Sequence, residues 1–329
     1  MIKRIVEIWK KRVDYSLLVG IVIFLVVAGL VFYLNQVTGT TLADFVLEMN
    51  GFMLDVVLFA VLIVWLNKRR ERNSRKLNYL EQLEDFKFWK SEEGVNRKVG
   101  IIRRLNQLDG DLPSLARFEL PGAYLKDFDF EKIDLSHANL STAFLLNANL
   151  QNATLFQVNC EKAYLEQTLL KKANLREAYL GWVDLRSANL SEADLSCANL
   201  ELAILWNSDL SGCILESANL DKADLTKANL KGAFCMNTVF GHANVSDVDF
   251  TAADLRGANL QHVENMTRSQ LISAVLDSKT IFPLDLSMQK EEIMSLSQAK
   301  PKRESGFKST TPSFRQRPKS GTYRVTQTL

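Results

Sequence analysis

The sequence predicts an α-helical transmembrane hairpin joined to an all-β solenoid with helical caps. Three observations predict it: two long apolar runs near the start, a residue pattern of period five from Leu120 to Leu260, and helix-like stretches flanking that pattern. The 329 residues are 47% hydrophobic and 24% charged, which is enough apolar material for a core, while 4 Cys and 6 Pro exclude a disulfide-stapled or collagen-like chain. The formal charge of +2 combines unlike parts: +5 over 1–117, −9 over 118–265 and +6 over 266–329. The expected organisation is a transmembrane hairpin over 1–67, cytoplasmic connecting helices and an N-terminal cap over 68–117, the solenoid over 118–265, a C-terminal cap over 266–286 and a disordered basic tail over 287–329.

The run from Ser16 to Leu34 carries no charge and has the length a helix needs to cross ~30 Å of hydrocarbon. It is too long for a signal-peptide core, and no small-x-small cleavage site follows it. The second run, Gly51 to Leu66, contains Asp55 and reaches spanning length when extended back through Phe45 to Leu47. Lys3, Arg4, Lys10, Lys11 and Arg12 precede the first run, none lies between the two, and Lys68, Arg69, Arg70, Arg72, Arg75 and Lys76 follow the second. Both termini of this multi-pass membrane protein are therefore expected in the cytoplasm. Tyr15, Tyr33 and Trp65 sit where aromatic rings favour headgroups. Asp44, Glu48 and Asp55 fall within about 40° of one another on a helix and form an acidic stripe. Depth favours reading it as the wet end of the span; a small oligomeric cation channel or sensor is the alternative, although no glycine-rich filter accompanies it.

From Asn67 to Asp109 the chain turns charged and helical. Leu77, Leu80 and Leu83 share one side of its first part, which ends at Phe86, Phe88 and Trp89. Ser91 before Glu92 and Glu93 starts a second helix, whose apolar stripe Val95, Val99, Ile102 and Leu105 suits a lid over the open end of a solenoid. The basic residues Lys68 to Lys76 suit anionic headgroups.

Every fifth residue from Leu120 to Leu260 is apolar: 23 Leu, three Phe, two Cys and one Val. Two positions earlier the side chain is small, with 19 Ala among 29, and the position just before the centre is Asn or Asp in 18. A period of five would scatter these residues around an α-helix and alternate them across a flat strand, so the chain has to turn once per unit. The small residue and the Leu then point inward together. Asn and Asp are expected at the corners, where they bond nearby backbone and tolerate unusual dihedrals.

Runs such as Ala188-Asn189-Leu190, Ala193-Asp194-Leu195 and Ala198-Asn199-Leu200 resemble the pentapeptide-repeat family. With its N-terminal apolar runs, the chain is similar to a membrane-anchored bacterial type with two transmembrane helices. The resemblance implies a right-handed, four-sided (quadrilateral) parallel β-helix with four pentapeptides per coil. About seven coils at ~4.8 Å spacing give a rod of roughly 34 Å. After Leu260 the frame fails at Asn265, and Thr267 to Gln270 followed by Leu271 and Ile272 reads as a capped helix serving as the C-terminal lid.

No phosphate loop, nucleophile elbow or triad is present, so no catalytic residue and no cofactor are assigned. Cys160, Cys213 and Cys235 fall at inward positions and Cys197 at a corner; His242 and His262, 20 residues apart, lack a third ligand for a metal site. The candidate site is a surface. Tyr124, Phe144, Leu146, Tyr164, Ile204 and Trp206 fall on one face, the richest apolar set on the rod. Two readings stay open for it: an interaction face, or a surface covered by the connecting segment. The expected function is a non-enzymatic, membrane-tethered scaffold for a protein partner or a second copy. The alternative is a DNA mimic that binds topoisomerase, a property of some proteins the array resembles. Direct nucleic-acid binding is not expected from a rod with twenty acids and eleven bases.

Overall fold

The computed structural model describes residues 42–109 and 112–298 and the isolated positions 29 and 32, with the side chains of 42–54 and 109 left out. The first apolar run, Ser16 to Leu34, therefore lies outside the described residues but for those two positions, as does the tail beyond Gln298.

The repeat folds as a four-sided parallel β-helix. Each residue preceding a Leu centre pairs in parallel with the residue 20 positions later, as in Asn139 with Asn159 and Asn159 with Tyr179. Four units therefore make one coil. Four faces result, whose outward residues begin with Glu119 on face 1, Tyr124 on face 2, Asp129 on face 3 and Asp134 on face 4. The centres and the small residues before them are buried throughout and fuse into one core.

The hydrogen bonds of one unit explain the composition of the repeat. The Leu140 amide donates to Asn159 O of the next coil (2.7 Å), Thr142 to Glu161 O (2.9 Å), Ala143 back to Leu140 O (3.0 Å), and Phe144 to Ala123 O of the previous coil (2.9 Å). The fifth amide, that of Ser141, donates to Oδ1 of Asn139 (3.1 Å). Asn or Asp before the centre thus closes the count of backbone donors, which a buried or half-buried turn requires. This corrects the expectation about corners. The Asn or Asp stands on the paired segment, and the left-handed dihedral falls three residues later, as at Thr142 (φ 57°), Ser187 (φ 56°) and Ala252 (φ 59°). The inter-coil bond donated by that corner residue holds it in a conformation that costs an L-residue about 1 to 2 kcal/mol.

The solenoid extends beyond the legible frame at both ends. Leu115 and Arg117 already donate to the next coil at Asp134 O and Ser136 O, so the first coil starts at Leu115, ahead of the expected boundary at Phe118. At the other end Val275 pairs with Asp254 and Ile281 with Asn259, so the ladder resumes after an inserted helix.

Helix α1, Leu42–Asp85, is one continuous helix that runs from the second apolar run through the basic cluster to the solenoid. Helix α2, Glu92–Asp109, starts at Ser91, whose Oγ accepts from Gly94 N (3.2 Å). Its stripe Val95, Val99, Ile102 and Leu105 is buried together with Leu83 of α1 against the first coil, as a lid requires; Leu77 is instead exposed. Lys98, which the stripe did not include, is also fully buried: its Nζ donates to Trp89 O (2.8 Å), Lys87 O (3.4 Å) and Glu119 O. Three carbonyls match the three donors of an ammonium group. Burial pulls Lys98 down to about 8, with the nearby Glu119 carboxylate opposing the shift.

Helix α3, Arg268–Ser273, is capped as expected, by a capping box between Thr267 and Gln270, and Gln270 Nε2 also donates to Val245 O (2.9 Å) and Val248 O (3.0 Å) at the open edge of the coil. The chain then forms a 3₁₀ turn, Ser287–Gln289, and helix α4, Lys290–Gln298, whose Ile293 is fully buried. Residues 287–298 are therefore part of the cap, not of a disordered tail.

Among the described residues no helix is long and apolar enough to cross a membrane, so the expected pair of spans does not appear there. Of the acidic stripe, Asp44 and Glu48 lie on α1 with side chains outside the described residues, and Asp55 is exposed.

Candidate functional site

Face 2 carries the column Tyr124, Phe144, Tyr164, Asp184, Ile204 and Asp224, each paired with the next. The rings of Tyr124 and Phe144 are 6.3 Å apart, and those of Phe144 and Tyr164 stack at 4.8 Å and 5°. All three are exposed; Leu146 at the neighbouring corner is half-buried, and Ile204 and Trp206 lie exposed higher on the rod.

A polar cluster divides this set. Asp184 is buried, and Arg186 grips it with Nε on Oδ1 (2.9 Å) and Nη2 on Oδ2 (2.7 Å), reaching Glu166 at 3.5 Å. The face holds a lower aromatic column of Tyr124, Phe144, Leu146 and Tyr164, a charged band, and an upper pair of Ile204 and Trp206, where the sequence suggested one continuous patch. The connecting segment does not cover it: α2 and the end of α1 pack on the open end of the first coil.

Two residues that sequence reasoning missed extend the surface round the corner to face 1. Tyr179 and Trp182 are 51% and 53% exposed, and Lys162 Nζ lies 5.5 Å from the centre of the Trp182 ring. Trp182 occupies a corner at φ 54°, where a bulky residue is rare. That mismatch was the available signal.

The aromatic column opposes the hydrogen-bond logic of the repeat. Where Asn or Asp precedes the centre, it receives the next free amide; Tyr124, Phe144 and Tyr164 have no acceptor to offer. The amides of Lys126, Leu146 and Glu166 have no protein partner among the described residues. Each substitution gives up a bond worth about 1 kcal/mol. Folding alone does not call for three rings in one column.

The rod's acidity has the opposite character. Asp129, Asp134, Asp184, Asp194, Asp209, Asp224, Asp249 and Asp254 all accept a turn amide through Oδ1. Eight of the twenty acids over 118–265 thus serve the ladder.

The array matches the family model for pentapeptide repeats over residues 120–155, 133–171, 155–192, 193–232 and 235–264. The matched segments, 120–232 and 235–264, carry the repeats of that family. The 20-residue register of parallel pairs gives this array its four sides. Comparison with curated proteins finds no match. Among solved structures, HetL of the cyanobacterium Nostoc sp. strain PCC 7120, a pentapeptide repeat protein involved in heterocyst differentiation regulation, is 28% identical, covering 52% of this chain and 78% of its own at a TM-score of 0.39. The plasmid-mediated fluoroquinolone resistance protein QnrB1 is 18% identical, covering 55% of this chain and 90% of its own at 0.41. A pentapeptide repeat protein of the Arabidopsis thaliana thylakoid lumen is 28% identical over 38% of this chain and 70% of its own at 0.18.

In the pentapeptide array Cys160, Cys213 and Cys235 are buried and Cys197 is exposed. Burial pushes the Cys160 thiol up to about 12, out of the reactive range. His242 and His262 stack at 5.0 Å, and His242 Nδ1 lies 3.1 Å from Asp221 Oδ1. No group of three metal-ligating side chains exists among the described residues. A shallow cleft between α1 and α2 is lined by Phe86, Ile101, Gln82, Asn96, Arg97 and Arg104, without a nucleophile.

Proposed function

We propose that this chain is a non-enzymatic scaffold, tethered to a bacterial inner membrane through its N-terminal helices, that presents the pentapeptide solenoid on the cytoplasmic side to a protein partner. The observation that carries the reading is the column Tyr124, Phe144 and Tyr164, three exposed rings that replace the repeat's own amide acceptors. Residues that break the local rule of a fold at no structural gain mark functional positions. Exposed aromatic rings next to an Arg are also the usual anchors of protein interfaces.

The tether is supported by α1. From Val57 to Leu66 most of its apolar side chains are exposed, with Phe59 at 64% and Leu58 at 58%, while Ala60 and Val64 are half-buried along one side, and Lys68, Arg69 and Arg70 follow at once. A helix stretch apolar all round and exposed over most of its circumference suits hydrocarbon, and a basic exit suits the cytoplasmic leaflet. Two crossings with both termini inside fit the same charge bias. The DNA-mimic reading is weaker, because much of the rod's acidity caps its own turns.

The test is cross-linked capture of partners from native membranes with the full chain and with a Tyr124→Lys, Phe144→Lys, Tyr164→Lys variant, both checked for carbonate-resistant membrane association. Loss of a stoichiometric partner from a variant that remains in the membrane fraction supports the scaffold. An unchanged partner set rejects the face, and carbonate extraction of both chains rejects the tether.

A further inference from the structure

Six contacts fix how the helical clamp sits on the solenoid. Arg72 Nη2 donates to Leu108 O (2.6 Å), Arg104 lies over the Tyr79 ring (5.9 Å), and Arg97 lies over the Phe86 ring (5.8 Å). Pairs that descend in α1 as they ascend in α2 define two antiparallel helices lying side by side. On the solenoid side, Lys98 reaches Glu119 O, Lys90 pairs with Glu119 (3.2 Å), and Arg103 lies over the Phe128 ring (5.6 Å). Glu119 is on face 1 of the first coil, and Phe128 on face 3 of the same coil.

A helix that touches opposite sides of a single coil lies across the stacking axis, not along it. Since α1 runs antiparallel beside α2, it too meets the axis of the solenoid at a steep angle. Its N-terminal direction is the direction from face 1 toward face 3, because α2 contacts face 1 through Lys98 and face 3 through Arg103, five residues further on.

Given the tether argued above, on which this step rests, we propose that the solenoid lies parallel to the lipid surface, with face 3 turned toward the headgroups and face 1, with the Tyr179–Trp182 corner, turned away. Its height follows from the helix rise. Residue 80 of α1, level with Arg103, is 15 residues past Trp65 or about 22 Å, and residue 85, level with Lys98, is 20 residues past it or about 30 Å. The axis of the coils is held about 26 Å above the headgroup layer at Trp65. Face 3 carries Asp129, Asp209 and Asp249 and no basic residue in its outward column, so it does not adhere to anionic lipid; the basic stretch of α1 does. A partner meets every coil at one height, and the aromatic corner stands clear of the membrane.

The experiment uses the full chain in vesicles containing a headgroup-labelled energy acceptor. Cys197→Ser removes the exposed thiol, and donors are attached singly through Gln151→Cys, Lys231→Cys or Ser141→Cys. The first two share the corner between faces 3 and 4 and are four coils, about 19 Å, apart along the rod. The expected result is equal heights for 151 and 231 and a greater height for 141. Heights for 151 and 231 that differ by about 19 Å, or a nearest position at 141, overturn the orientation while leaving the tether intact. Failure of the chain to float with vesicles overturns the tether, and this proposal with it. A second pair, Lys171→Cys and Thr251→Cys, occupies the same corner and decides the matter if either first label disturbs folding.

Discussion

Alanine at two glycine corners separates the cost of backbone conformation from the cost of a local cap. Gly232 has φ +67° and nothing within 4 Å of where a Cβ would stand. Gly232→Ala therefore carries only the left-handed penalty of about 1 to 2 kcal/mol, less about 0.4 to 1 kcal/mol recovered from a stiffer unfolded chain, leaving about 0.5 to 1 kcal/mol. Gly241 has φ +48°, and a Cβ there would stand 2.0 Å from Asp221 Oδ1 and 2.8 Å from its Cγ. The Asp221 carboxylate accepts from His242 N (2.9 Å), a bond that holds Asp221 below the usual carboxylate range, so it cannot move without breaking that bond. Losing a hydrogen bond to a charged group adds about 1.5 to 3 kcal/mol, for a total of about 2 to 4 kcal/mol. Urea unfolding of the full chain and of both variants measures the difference. In an Asp221→Ala background the excess cost of Gly241→Ala should shrink to the tight contact left by the Cβ of residue 221 at 3.0 Å. Equal costs in the native background, or an excess undiminished by Asp221→Ala, would refute the reasoning.

Three further outcomes are expected. Asp249 is held below the usual carboxylate range by the hydroxyl and amide of Thr251. The unfolded chain then binds more protons as the pH falls, so its stabilisation is full above about pH 4 and is lost as the pH falls through the folded value; Asp249→Asn, which keeps the cap, should flatten the acid limb of a melting-temperature profile. Lys98 sits at about 8, below its ordinary range, so between that value and the unfolded one the unfolded chain holds the extra proton and stability rises with pH. Lys98→Met should abolish that rise and, by leaving Trp89 O and Glu119 O unpartnered while Lys87 O keeps the Glu119 amide, cost about 2 to 3 kcal/mol at pH 7 in chemical denaturation. Trp182→Ala removes an exposed ring from a strained corner and should leave stability within about 0.5 kcal/mol while weakening capture of the partner; a large loss of stability instead would make Trp182 structural.

The core of the fold was legible because burial acts on every unit alike. A Leu every fifth residue with a small residue two positions earlier forces a turn in every unit, and the four faces followed from the resemblance to pentapeptide repeats, with which the 20-residue spacing of Tyr124, Phe144 and Tyr164 agrees. The ends were less legible. Val275 and Ile281 rejoin the ladder only after a six-residue helix shifts the frame, and a fixed period cannot follow an insertion. The corner assignment failed for a different reason. Both Asn and the left-handed conformation belong to turns, yet the side chain that closes a turn and the residue that makes it need not coincide. Nor did composition show that α1 is continuous from Leu42 to Asp85, because the change from apolar to charged residues at Asn67 reads as a boundary although the backbone continues unbroken.

The candidate site was legible where it departs from the repeat in an exposed column, and missed where it departs at a corner. Tyr179 replaces an Asn-type acceptor on face 1, just as Tyr164 does on face 2, but it stands singly between Asn159 and Asn199, as Val239 does between Asn219 and Asn259. Trp182 replaces nothing with a fixed identity, since corner residues vary freely; only its left-handed φ makes the choice costly. Arg186 was missed because charge at a corner looks ordinary until its bidentate grip on buried Asp184 is seen. In a fold whose every unit repeats one hydrogen-bond scheme, functional residues are those that forgo the scheme while remaining exposed. By that test the aromatic members Tyr124, Phe144, Tyr164 and Tyr179, with Trp182 at the corner beside them, form the working surface, while Leu169, Ile204 and Val239 also forgo the scheme but with aliphatic side chains.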